Sequence, residues 1–105
     1  DEALKANAIH ARQIAKQHSC AMFYMSQLSA DAENKVVLNQ AMMEGSRTGK
    51  AAEADLMILI AKNPPVEGQE EEDTMRHLNL VKNKLSGWHG IIHCELEYKT
   101  ARYVA

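Results

Sequence analysis

The stretch "NLVKNKLSGWHGIIHCELE", residues 79 to 97, decides how the last third of the chain is read. An apolar run closes on Lys82 and Lys84, "SGWHG" turns the chain, and a second apolar run returns. In "HLNLVKNK", Leu78, Leu80, Lys82 and Lys84 fall on one face of an extended strand. In "IIHCELEY", Ile92, Cys94, Leu96 and Tyr98 share a face opposite His93, Glu95 and Glu97. Such a period of two belongs to antiparallel strands with one wet side, so the stretch predicts a β-hairpin. A pair of ammonium groups then stands at its mouth, where a plain turn residue would serve.

Upstream, "NPPVEGQEEEDT" (residues 63 to 74) predicts a solvated loop, because the prolines stop a strand and the acidic run has no apolar face. Before it, "DLMILIA" is a continuous apolar run and predicts a buried strand. Residues 46 to 54 have the Ala and Glu content of a short helix, weakened by Gly49. "SCAMFYM" predicts a buried parallel strand ending near Met25. Residues 2 to 18 predict a helix, with Leu4, Ala8, Ala11, Ala15 and His18 recurring at three- and four-residue steps. "ARYVA" supplies a short terminal strand. The order predicts one α/β unit over residues 1–105, parallel in its centre and antiparallel at one edge.

Composition agrees with one small domain. Of 105 residues, 46% are apolar and 25% charged, the balance of an ordinary globular chain. The net charge of -2 excludes polyanion binding by bulk charge, so any nucleic-acid contact must come from a local patch. Aromatic residues are scarce, which leaves Leu, Ile, Val, Met and Ala to build the core. Cys20 and Cys94 each lie in an apolar run and read as small buried hydrophobes of a reducing cytoplasm. The sequence has no signal peptide or membrane-length apolar run. It opens on "DEALKANAIHARQIAKQ" and closes on "TARYVA", and reads as a piece of a larger protein.

Ligands of open α/β sheets collect at the carboxyl ends of strands. Those ends carry Ser26 and Gln27, then Lys62, then Lys82 and Lys84. An amide can orient a water or bond a phosphate, and lysines neutralise phosphoryl charge as point cations. "HGIIHCE" gathers His89, His93 and Cys94, but a turn and opposite strand faces keep the three apart. No metal site is assigned there. Trp88 and the Met-rich "MFYM" are read as packing.

The runs "FYMSQLSADAE", "EGSRTGKAAEADLMILIAKN" and "LNLVKNKLSGWHG" resemble, in order and spacing, the C-terminal half of the RecA-like motor of DnaB-type replicative helicases and of phage primase–helicases. The resemblance implies a RecA-like P-loop NTPase core with central parallel strands and an antiparallel hairpin edge. It implies that Gln27 senses the γ-phosphate and that Gly45, Ser46, Arg47 and Lys50 lie in loops that touch single-stranded DNA. It further implies that Lys82 and Lys84 reach the nucleotide of the neighbouring subunit in a homo-oligomeric ring, a hexamer in the family; Lys62, by its place at a strand end, is a further candidate nucleotide contact. Two departures stand out. Lys84 replaces the usual Arg and cannot form a bidentate fork on phosphate. The chain also has no G-x-x-x-x-G-K-[ST] loop and no strand ending in a Mg²⁺-ligating Asp, so ATP and Mg²⁺ would be held mainly by other parts of the protein. The expected function is a share in ATP-dependent unwinding of DNA. A recombinase or clock-type ATPase, or a non-catalytic binding module, remains the alternative.

Overall fold

The computed structural model describes residues 2–43 and 53–105. Helix α1 spans Glu2–His18, as its periodicity predicts. It ends where Ser19 turns into the left-handed region (φ 49°) and the Cys20 N–H reaches back to the Ala15 carbonyl at 3.1 Å, closing the last turn. Irregular chain follows, with single 3₁₀ turns at Ala30–Ala32 and Gln40–Met42 and a bridge from Leu28 to Met43. Four strands come next: β1 (Leu56–Lys62), β2 (Met75–Asn83), β3 (Gly90–Glu97) and β4 (Arg102–Val104).

The strands pair in sequence order, and every pairing is antiparallel. This corrects the expected RecA-like core with central parallel strands: among the described residues there is one long helix and an antiparallel meander. Two segments carried that expectation. "SCAMFYM" forms no strand; Phe23 and Met25 are 89% and 93% exposed. "DLMILIA" does form a strand, β1, but at the sheet edge and with strictly alternating burial. A continuous apolar run fits a strand buried on both faces, yet β1 buries only Met57, Leu59 and Ala61. The short helix expected over 46 to 54 lies almost wholly outside the described residues. Residues 63 to 74 form the loop that their prolines and charges predict.

Burial in β2 inverts the expected sides. His77 and Asn79 are buried, while Leu78 and Leu80 are only half-buried. The cause is the cover. Segment 28–43 packs on the β1 face bearing Met57, Leu59 and Ala61, and Leu38 completes that core. Irregular backbone laid on a sheet needs partners for its polar groups, and Asn79 supplies them. Its Oδ1 accepts the Leu38 N–H at 3.0 Å, and its Nδ2 donates to the Val36 carbonyl at 3.0 Å.

Candidate functional site

Lys82, near the end of β2, owes its placement to a β-bulge, and Lys84 follows in the turn just past the strand. Met57 pairs with Lys82 and Ile58 with Leu80, so Val81 is the extra residue. Successive residues of β1 point to opposite faces. Lys82 therefore stands across from the core-side Met57, and Leu80 across from the outward Ile58. The bulge overturns the reading that put Lys82 on one face with Leu78 and Leu80. The Val81 carbonyl accepts a hydrogen bond from Gln40 Nε2 at 2.8 Å, which ties the bulge to the covering segment.

Around this strand end lies a charged cluster. The Lys84 N–H donates to the Asp55 carbonyl at 2.9 Å, just before β1 begins. Arg12 of α1 reaches the same point: its guanidinium donates to the Glu53 carbonyl at 2.9 Å and to Asp55 Oδ1 at 3.1 Å. Asp55 is held below the ordinary carboxylate range, first by the Arg12 hydrogen bond and charge, then by the charges of Lys84 and Lys82. Partial burial lowers the Lys82 ammonium below the ordinary lysine value, and the charge of Lys84 lowers it further. Three cations and two carboxylates thus meet where chain from the Gly45–Lys50 segment enters the sheet. Arg12 and Asp55 carry no motif, and only the fold brings them here.

The other expected residues are distributed differently. Lys62 pairs with Arg76 at the far end of β1, about 20 Å along the strand from Lys82 at ~3.4 Å per residue, so the two ends form no common site. Gln27 is exposed on irregular chain rather than at a strand end. Its neighbour Leu28 packs against the core cluster that also receives Val81. Gly45, Ser46, Arg47 and Lys50 lie outside the described residues. Trp88 half-covers the hairpin mouth, its ring so close over Gly90 that a Cβ there would lie 2.6 Å from it.

At the opposite end of β2, a polar relay crosses the sheet that no motif announced. His77 and His93 pair directly across β2 and β3, with Nδ1 atoms 2.7 Å apart. His77 Nε2 meets Asn63 Oδ1 at 2.8 Å, and Asn63 Nδ2 donates to Asp73 Oδ2 at 2.7 Å. The Asn63 hydrogen bond, followed by that of the Met75 N–H, lowers the Asp73 carboxyl below its ordinary value. The hairpin register alone would have matched the two histidines. Among the described residues, no three His, Cys, Asp or Glu side chains converge as a ready metal cage, and no helix is long and apolar enough to cross a membrane. Comparison with protein-family models, curated proteins and solved structures finds no match to this chain.

Proposed function

We propose that this chain is part of an ATP-dependent, ring-forming replicative DNA helicase that translocates on single-stranded DNA and unwinds duplex DNA in a bacterial or phage-infected cytoplasm. The observation that carries the reading is the meeting of Lys82 and Lys84 with Asp55 at one end of the sheet. Cations meant for a neighbouring subunit's nucleotide stand there directly beside chain leading from the DNA-loop candidates Gly45, Ser46, Arg47 and Lys50. A movement of one would be felt by the other. The antiparallel meander is the scaffold for this pair, and the bulge at Val81 sets the face of Lys82. ATP and Mg²⁺ are bound chiefly by residues outside the chain's motifs, and Gln27 responds to the γ-phosphate.

In this mechanism Lys84 stabilises charge that develops on the transferring phosphoryl group across the subunit interface. Cations supplied to that transition state are worth about 10³–10⁵ in rate, and a lysine without a fork belongs at the low end. In the assembled ring, Lys84→Ala should lower ATP turnover by about 10³-fold and leave nucleotide binding by its own subunit intact. Lys84→Arg should retain or raise activity. Mixed rings decide the matter: Lys84→Ala subunits should be partly rescued by subunits that keep Lys84 but have lost their phosphate-binding lysine. Full activity of the Lys82→Ala, Lys84→Ala double variant would refute the role.

A further inference from the structure

The His77–His93 pair carries chemistry that the helicase reading does not use. Asn63 fixes its protonation. The Asn63 amide nitrogen donates to Asp73, so its oxygen faces His77 and must accept from the Nε2–H. His77 Nδ1 is then an unprotonated lone pair. It is aimed at His93 Nδ1, 2.7 Å away, and that contact needs the proton to come from His93. The rings meet edge to face, with centroids 4.9 Å apart and planes at 81°. His77 is 7% exposed and held in place, whereas His93 is exposed and able to turn.

We propose that His77 and His93 form a binding site for a divalent transition-metal ion, typified by Zn²⁺, with the two Nδ1 atoms as ligands and water in the remaining positions. If the His93 proton moves from Nδ1 to the Nε2 position, both Nδ1 lone pairs converge on the point where that proton lay. No net proton is gained or lost. Two Zn–N bonds of about 2.0–2.1 Å at a tetrahedral angle set their nitrogens about 3.3 Å apart. The pair must open by roughly 0.6 Å, a small swing for the exposed His93 ring. The Asp73–Asn63–His77 relay is the outer support that metal-bound imidazoles ordinarily have, a partner on the second ring nitrogen that fixes tautomer and direction. Imidazole pairs favour Zn²⁺ and Cu²⁺ over Mg²⁺ and Ca²⁺, so this site is chemically separate from any nucleotide-bound Mg²⁺. With two protein ligands it stays open to exchange, and it clips β2 to β3 beside the 63–74 loop.

The test is titration of the full, tag-free chain with Zn²⁺. Saturation at one ion per chain is expected, with at least tenfold weaker binding in His93→Ala. Asn63→Ala should weaken binding by about 10–100-fold, the usual cost of removing an outer partner. His89→Ala should bind as the parent does. Cu²⁺ paramagnetic resonance should show hyperfine coupling to two nitrogens in the parent and one in His93→Ala. His93 is exposed, so its removal leaves the fold to be checked simply by circular dichroism. Unchanged Zn²⁺ affinity in folded His93→Ala, or no saturable uptake by the parent, overturns the assignment. None of these readouts depends on ATP or DNA.

Discussion

Asn79 is 2% exposed and spends both ends of its amide on backbone. Besides the Leu38 N–H and the Val36 carbonyl, it makes longer contacts with the carbonyls of Leu59 and His77, each at 3.4 Å. It acts as a rung of ladder for chain that is not a strand. Asn79→Ala should therefore cost about 2–3 kcal/mol in urea denaturation, since buried partners are left unpaired. Asn79→Leu should do no better, because lost hydrogen bonds rather than lost volume set the cost. An unchanged midpoint for both variants would show that segment 36–38 is held by packing alone. At this scale the sequence was partly legible. Alternation put Leu78 and Leu80 on one face of the strand, which leaves His77 and Asn79 to the other, and nothing in the pattern marked that other face as the buried one. An amide can be buried only when backbone lies above it, and nothing in "HLNLV" announces the 28–43 cover.

Among elements, Arg12 links α1 to the sheet, its guanidinium holding the approach to β1 at Glu53 and Asp55. Because the Asp55 carboxyl titrates lower in the folded chain than in the unfolded one, the stabilisation is present above the ordinary Asp value of 3.8 and is lost as pH falls through the lowered value. The stability difference between the parent and Arg12→Gln should thus be largest near neutrality and shrink below about pH 4. A difference that stays constant down to pH 2.5 would mean that Arg12 acts by its carbonyl hydrogen bond and not by charge. The elements themselves were readable where one period ran cleanly, as in α1, β2 and β3. β1 was readable as a strand but not as an edge. The bulge at Val81 escaped altogether, because no residue type marks it; a shift of one residue is enough to transfer Lys82 to the other face.

Among the described residues, the sheet is covered on one side. The face of Met57, Leu59 and Ala61 is covered by segment 28–43, while Ile58 and Ile60, each 45% exposed, look the other way. Replacing both by Thr should change stability by no more than about 0.5 kcal/mol per site, as for surface positions. Leu59→Ala on the covered side should cost about 2–4 kcal/mol. Equal costs on the two faces, measured by denaturant midpoints, would contradict this asymmetry. The parallel expectation failed at this level for a physical reason. Apolar content tells how much a strand can bury and not which neighbour does the burying, and "SCAMFYM" and "DLMILIA" have the same composition whether paired or bare. The candidate site was legible in its lysines, which stand conspicuously at a strand end, and illegible in Arg12 and Asp55, which only tertiary proximity recruits.

Because β1, β2, β3 and β4 each pair with their neighbour in sequence, the sheet can grow one hairpin at a time. Every step closes a short loop, so assembly should be fast for a β structure, whose speed falls as contacts become more distant along the chain. The longest interval between paired strands runs from Lys62 to Met75, and its closure should be the slow step of the zipper. Halving that loop would lower the closure cost by about 0.6 kcal/mol, which corresponds to roughly threefold faster formation of the β1–β2 hairpin. The acidic excursion that looks like mere solvated linker should then set the pace of the sheet's assembly.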